Sequence, residues 1–205
     1  MGNFDLRAKN YDTDNKVKRA KAIADEIRLY IQNGDKKSAI EYGCGTGLVG
    51  FQLLDDFSKL LFIDSSIGMI EQVKQKLVNI GKSVDSAILC DFMTDALPQN
   101  IKIDYIFTSL VLHHIKELET ILSNFYDLLN NGGHLLIVDF DIDDGSIHAD
   151  SPDFDGHNGF EQSFLIDLVK KVGFAKAEAT TFYHDTGVVN DNEVSYSLFI
   201  LNAEK

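Results

Sequence analysis

A doubly wound α/β domain with a mostly parallel sheet is the fold class this sequence predicts, and three observations predict it. Short apolar runs alternate with segments of helical periodicity; several runs end on an acidic residue; and the first opens into Glu41-Tyr-Gly43-Cys-Gly45-Thr-Gly47, with glycines at alternate positions. Strand, glycine loop and helix in that order form a cradle for a ligand laid directly on the backbone, because residues without a Cβ accept positive φ and close approach.

Taken in order, Val17, Ala20, Ala24, Ile27 and Ile31 share one face of a helix over residues 17–31, which Asn33-Gly34 stops. Ser38 to Tyr42 is a strand running into the glycine loop, and a helix from about Leu48 to Phe57 leaves it. Leu60 to Ile63 is an apolar run of strand length that ends at Asp64 and suits a parallel strand buried on both faces. Ile67, Ile70, Val73, Leu77 and Ile80 line the next helix, with Gly81 as its stop. Ser83 to Cys90 reads as a third strand, followed by Asp91, and Tyr105 to Phe107 as a fourth, entered through Asp104 after Pro98. Leu118, Ile121, Leu122, Phe125, Leu128 and Leu129 mark a helix that Asn131-Gly132-Gly133 ends, and Leu135 to Val138 is the fifth strand. A helix over Gly159 to Val172 ends at Gly173. Ala175 to Tyr183 and Tyr196 to Leu201 then have no helix between them, so they should pair antiparallel across a loop containing Gly187 and Asn190.

The 205 residues suit a single domain over 1–205, with residues 1–34 forming an N-terminal cap helix and 139–158 an acidic lid or substrate segment. Apolar content of 44% and charged content of 25% are ordinary for a globular protein. No segment approaches the ~18 apolar residues of a membrane span, and the N-terminal residues lack an apolar signal core. The two cysteines, Cys44 and Cys90, fit free thiols in a cytoplasmic setting. A net charge of −13, from 32 acidic against 19 basic residues, argues against nucleic acid as partner and favours a small neutral or cationic molecule. The pattern is silent on oligomeric state.

Gly45-Thr-Gly47-Leu-Val-Gly50 also satisfies the dinucleotide fingerprint, with Asp64 19 residues beyond Gly45 to take a ribose, so the loop alone leaves a nicotinamide oxidoreductase open. The other strand ends decide between ligands. Asp64 can accept from both ribose hydroxyls and Asp91 from an adenine amino group; Met69 and Phe92 offer apolar faces, and Glu41 can balance a cationic amine. Adenosine carrying a cationic amino-acid tail fits such carboxylates better than a pyrophosphate, and that description is S-adenosylmethionine; no Tyr-x-x-x-Lys pair supports hydride transfer.

The chain resembles the class I S-adenosylmethionine-dependent methyltransferases of the small single-domain kind. The motifs are Glu41 to Gly47, Phe62-Ile-Asp64-Ser65-Ser-Ile-Gly-Met69, Asp91 with Leu97-Pro98, Asp104 to Ser109-Leu110-Val-Leu-His113-His114, and Leu128-Leu-Asn-Asn-Gly132-Gly133-His134. The resemblance implies a Rossmann-like, seven-stranded sheet with an antiparallel last strand. It implies cofactor contacts at Gly43, Cys44, Gly45, Gly47, Asp64, Ser65, Met69, Asp91, Phe92, Ser109 and Leu110, with Tyr11 folding over the site, and S-adenosylhomocysteine as product. A catalytically silent S-adenosylmethionine-binding partner subunit would carry the same motifs.

Methyl transfer from a sulfonium needs positioning above all, and a base only when the acceptor is protonated at neutral pH. His113 and His114, after the fourth strand, and His148 and His157, flanking the acidic segment, are the base candidates, one of the latter two being expected in the acceptor pocket. Residues 139–155 hold seven aspartates and no lysine or arginine, and are expected to cross the mouth of the site. Asp139, Asp141 and Asp143 alternate as in a calcium loop, but Asp144 replaces the required glycine and Asp150 the final glutamate, so no metal is expected.

Overall fold

The computed structural model describes residues 5, 7–33, 36–95, 101–151 and 153–205. The helices are α1 Asp14–Arg28, α2 Gly50–Leu53, α3 Ile67–Asn79, α4 Leu118–Leu128 and α5 Gln162–Val172. The strands are β1 Ser38–Tyr42, β2 Lys59–Asp64, β3 Ala87–Leu89, β4 Ile103–Ser109, β5 Leu129–Phe140, β6 Lys176–Val189 and β7 Asn192–Glu204. They form a seven-stranded sheet in the order β3-β2-β1-β4-β5-β7-β6. β1 pairs with β2 and β2 with β3 in parallel, whereas β7 runs antiparallel to β5 and also to β6, the latter as the helix-free C-terminal segment predicts. Among the described residues no helix is long and apolar enough to cross a membrane. The chain divides into two compact units, Met1–Phe107 and Thr108–Lys205.

In the first unit, the β2 run from Leu60 to Ile63 is buried on both faces, as a central parallel strand requires. α1 begins at Asp14, a turn earlier than its apolar stripe, and buries Ala20, Ile23, Ala24 and Ile27. Its predicted stop falls partly on Gly34, outside the described residues, as do Leu97 and Pro98. The Ser66 hydroxyl caps α3 by accepting from the Met69 N–H at 3.3 Å, and Met69, Ile70, Val73 and Leu77 form its buried face. Two elements are shorter than the sequence predicts. The helix expected over 48–57 contracts to α2: Arg28 Nη2 donates at 2.7 Å to the Gln52 carbonyl, a group the longer helix would have used, while Arg28 Nε holds the Asp56 carboxylate at 3.0 Å. The strand expected from Ser83 contracts to β3 because the Ser83 hydroxyl accepts from the Asp85 N–H and nucleates a 3-10 turn over Val84–Ser86.

In the second unit, α4 buries Leu118, Ile121, Leu122, Phe125 and Leu128, each contributing about 1.5–3 kcal/mol of apolar burial. It ends without using Asn131-Gly132-Gly133, and β5 starts at once, at Leu129. Those glycines belong to the strand, since the Gly132 N–H donates to the Lys205 carbonyl at 2.8 Å and the Lys205 N–H to Gly133 at 2.9 Å. β5 also runs two residues past Val138, which takes Asp139 out of the acidic loop and into the sheet. α5 starts at Gln162 and not at Gly159, because Phe160 makes a parallel bridge to Asp141 and a Cβ on Gly159 would lie 2.2 Å from the Asp141 carbonyl oxygen.

β6 and β7 are both longer than predicted and enclose Gly187 within the ladder. Their turn is the pair Asn190 and Asp191, with φ of +48° and +62°, as a two-residue hairpin loop of right-handed twist demands. Asp at such a position is strained relative to glycine. Asp191→Gly should therefore stabilise the fold by about 0.5–1 kcal/mol, and an unchanged or lowered denaturation midpoint would refute the assigned turn.

Candidate active site

The first unit builds its site on the carboxyl ends of β1 and β2. Gly43, Gly45 and Gly47 take φ of +67°, +53° and +80°, left-handed conformations at three alternate positions that residues with a Cβ rarely adopt. Glu41 lies beneath this loop, 2% exposed, its Oε1 accepting from the Gly50 N–H at 3.2 Å and its Oε2 buried without a hydrogen-bond partner. Burial, reinforced by the Asp64 charge and opposed by the Gly50 bond and by Lys76, pushes the Glu41 carboxyl up to about 8. Gly50 thus has a packing role that its dinucleotide-like spacing disguises: a Cβ there would stand 2.2 Å from Glu41 Oε2 and 2.5 Å from the Phe62 ring.

Asp64 Oδ2 accepts from the Gly45 N–H at 2.7 Å and Oδ1 from the Ser66 N–H at 2.8 Å, which locks the carboxylate over the loop. Ser65, beside it, is exposed. Burial raises the Asp64 pKa against the pull of these backbone donors. Tyr11 lies along the loop, 3.9 Å from where a Gly45 Cβ would stand, with Lys16 Nζ 3.4 Å above its ring centroid. The neighbouring Asp12 accepts from the Thr46 hydroxyl and, at 2.8 Å, from Lys76 Nζ, which also donates to the Thr46 carbonyl at 2.7 Å. Asp12 and Lys76 were not among the residues expected here. Their signal is weak in sequence, since both look like ordinary solvated charges until the chain folds back.

Two expected adenine-facing side chains have other company. Phe92 is buried with its ring stacked on Tyr42 at 4.8 Å, and Met69 is buried in the α3 face, so both back the site from the core side. Asp91 accepts from the Met93 N–H at 2.9 Å, which orients its carboxylate at the end of β3. The Cys44 thiol is buried and donates to the Gly45 carbonyl at 3.5 Å; burial raises its pKa well above the ordinary value, so it stays protonated, a space-filling residue and no nucleophile. The orphaned carboxyl oxygen of Glu41, the open backbone of the loop and the fixed Asp64 carboxylate fit an adenosine ligand with a cationic amino-acid tail.

The second unit gathers the histidines. Ser109 ends β4, and Leu110 follows with φ of +59°, its N–H donating to Val138 at 2.9 Å; the turn delivers His113 beside β5. There His113 Nδ1 meets Asp139 Oδ1 at 2.7 Å and the His113 N–H donates to Asp139 Oδ2 at 3.2 Å, the two side chains being 3% and 0% exposed. Asp139 is the residue sequence reasoning missed as a partner. The available signal was an apolar run, Leu135 to Val138, ending on a carboxylate as β1 and β2 do.

His114 and His148 pack against His113 with ring centroids at 4.1 and 5.1 Å, and Phe154 stacks on His148 at 3.8 Å. Desolvation, and then the neighbouring His113, lower the His114 pKa to about 4 and depress that of His148 as well. Both rings are neutral near pH 7. The His148 Nδ1 is buried without a partner, whereas His157 spends its Nε2 on the Ile115 carbonyl at 3.1 Å and its N–H on the His113 carbonyl at 2.7 Å. His157 therefore fastens the acidic segment, and Gly156 helps, since a Cβ there would lie 2.1 Å from the His113 carbonyl oxygen.

The alternating aspartates serve separate neighbours. Asp139 holds His113; Asp141 accepts from Gln162, Thr181 and Ser197; and Asp143 accepts from the Gly145 N–H. Among the described residues no group of three or more His, Cys, Asp or Glu is arranged to hold a metal ion.

A glycine loop over a buried glutamate, an acidic end to β2 and an antiparallel β7 between β5 and β6 are arranged as in the Rossmann-like fold of solved S-adenosylmethionine-dependent methyltransferases. Residues 40–135 match the family model of a methyltransferase domain. The chain is 26% identical over 184 residues to an uncharacterized methyltransferase of Schizosaccharomyces pombe, a match covering 82% of this chain and 63% of that protein. An S-adenosylmethionine-dependent methyltransferase of Thermotoga maritima has the same fold, with a TM-score of 0.70, 15% identity and 98% of each chain covered. Phosphoethanolamine N-methyltransferase 2 of Haemonchus contortus, solved with phosphomonomethylethanolamine and S-adenosylhomocysteine, gives a TM-score of 0.68 at 16% identity over 90% of this chain. The chain spans 52% of that nematode enzyme and under two thirds of the yeast protein.

Two measurements check this geometry. Gly50→Ala should destabilise the protein by about 1–3 kcal/mol, because neither Glu41 nor Phe62 has room to withdraw; a loss under ~0.5 kcal/mol would show the packing to be loose. The His114 ring should not titrate between pH 8 and 5.5 in nuclear magnetic resonance spectra. Since its folded pKa lies below the unfolded value, the unfolded chain binds the extra proton, and stability should fall as pH drops from about 6.5 towards 4.

Proposed function

We propose that this chain transfers a methyl group from S-adenosylmethionine to a small-molecule acceptor. The observation that carries the reading is the buried Glu41 carboxyl, with one oxygen unsatisfied, beneath a positive-φ glycine loop and beside the backbone-locked Asp64. The loop backbone at Gly43, Gly45 and Gly47 would receive the amino-acid tail, Glu41 its ammonium group, Asp64 the ribose and Asp91 the adenine, with Tyr11 alongside and Met69 and Phe92 as the apolar backing. Ser65 and Cys44 complete the set. When bound, the sulfonium supplies an electrophilic methyl group. The protein's own part is to hold the acceptor in line with it and to exclude water.

For an acceptor that must lose a proton, His113 is held in one orientation by Asp139, and His114 and His148 offer neutral imidazoles beside it. Of the two histidines flanking the acidic segment, His148 is assigned to the acceptor pocket and His157 to fastening the segment. Buried free thiols at Cys44 and Cys90 support a reducing, cytoplasmic setting, and the net charge of −13 supports a small acceptor in preference to nucleic acid.

Calorimetry with S-adenosylhomocysteine tests the cofactor assignment: the wild type should bind it, and Asp64→Ala should weaken binding about 10–100-fold by removing two ribose hydrogen bonds. Binding of NADH without binding of S-adenosylhomocysteine would defeat the reading. Metabolite pools incubated with methyl-labelled donor should yield a labelled product by mass spectrometry; cofactor binding with no product from any pool would favour a catalytically silent partner subunit.

A further inference from the structure

The function proposed above gives no part to Asp12, Thr46 and Lys76, yet these three residues tie the N-terminal segment to the glycine loop. Thr46 stands between Gly45 and Gly47 and is 2% exposed. Its hydroxyl donates to Asp12 Oδ1, while Lys76 Nζ reaches across from α3 and donates to the Thr46 carbonyl at 2.7 Å and to Asp12 Oδ2 at 2.8 Å. The loop residue is therefore gripped through its side chain and its backbone at once. With the Lys76 and Asp12 side chains 32% and 34% exposed, water screens their attraction only in part.

A second anchor lies seven residues earlier. Asp5 Oδ1 accepts from the Ser66 hydroxyl at 2.5 Å and from the Gly68 N–H at 3.1 Å, at the N-terminal end of α3, where the helix dipole favours a carboxylate. The approach is so close that a Cβ on Gly68 would stand 3.0 Å from the Asp5 carbonyl oxygen. Asp64, bonded to the Gly45 and Ser66 N–H groups, links the loop that Asp12 grips to the turn that Asp5 grips. Tyr11 lies between the two anchors in the chain, along Gly45 and under the Lys16 ammonium. Holding a loop and a ring in place before a ligand arrives spares ordering entropy that binding would otherwise cost.

We propose that Asp12 and Lys76 are positioning residues for the cofactor: their ion pair, closed through Thr46, holds Tyr11 and the backbone from Gly45 to Gly47 in the arrangement that receives it. The identity of the ligand rests on the methyl-transfer reading, whereas the clamp rests on contacts within the chain. Neither side chain needs to touch the ligand. Asp12 acts through Tyr11, its neighbour in the chain, and Lys76 through the Thr46 carbonyl.

The test is calorimetric titration of the full chain with S-adenosylhomocysteine, alongside amide hydrogen exchange of the ligand-free protein. Asp12→Asn and Lys76→Met should each weaken S-adenosylhomocysteine about three- to tenfold. The double variant should bind within about twofold of the weaker single variant, and Lys76→Arg, which keeps the charge and the donors, within about twofold of wild type. In a Tyr11→Ala background the Asp12→Asn loss should shrink below about twofold, a dependence that a general loss of stability would not produce. In the free protein, the Gly45 and Gly47 amides should exchange at least about threefold faster in Asp12→Asn and Lys76→Met, with Val73 and Leu77 inside α3 unchanged. The proposal is overturned by unchanged affinity in both charge-removing variants, by losses that add in the double variant, by an equal loss in Lys76→Arg, or by exchange that rises uniformly through α3. Should S-adenosylhomocysteine fail to bind the wild type, the methyl-transfer reading falls, and the exchange comparison still decides the clamp.

Discussion

The hydrogen bond from the Gly50 N–H to the buried carboxyl of Glu41 is the constraint around which the first unit is arranged. A carboxyl at 2% exposure is costly to bury, and what makes the position tenable is the start of α2 pressed against it with no Cβ between. That contact fixes where α2 begins and so how far the chain between β1 and α2 must reverse. The reversal is achieved by three glycines at positive φ. Phe62 and Phe51, stacked at 4.9 Å, close the other side of the same contact, so a core pair and a ligand loop share one piece of packing. The loop is rigid for reasons internal to the protein, and a ligand laid on it meets donors already oriented.

A parallel logic governs the second unit, where Asp139 is fully buried at the end of β5 and His113 supplies both a ring nitrogen and a backbone N–H to it. Around that pair, His114, His148 and Phe154 form a layer of rings whose desolvation keeps the imidazoles uncharged. The acidic segment is fastened over them through the His157 N–H and the close approach of Gly156. What looks in sequence like one long solvated acidic stretch is divided by the fold. Asp139 is a buried orienting partner, Asp141 a hub for three side chains, and Asp143 a wall of a separate cavity.

Much of the fold was legible because period and punctuation agreed. β1, β2, α3 and α4 fell close to their predicted limits, their apolar residues following one period and their ends carrying a cap or a carboxylate. The errors have local causes. α2 and β3 came out short because Arg28 and the Ser83 hydroxyl satisfy backbone groups that the regular element would have used. β6 came out long because its extension alternates in exposure, and β5 and β7 because most of the residues they add are polar or glycine, which leaves no apolar run to read. Gly132 and Gly187 read as helix-stop and loop residues because glycine marks both turns and irregular strands, and only the partner strand tells which.

The sequence by itself determined the class of fold, the glycine loop, the acidic strand ends at Glu41 and Asp64 and the antiparallel C-terminal pair, because each is a local pattern whose physical meaning needs no distant neighbour. Tertiary structure alone decided which charges are structural and which are available. Asp12 with Lys76, Asp139 with His113 and Asp141 with Ser197 lie 64, 26 and 56 residues apart. A carboxylate's role depends on the donors and the dielectric around it, and both are supplied by segments remote in the chain and near only in the folded protein.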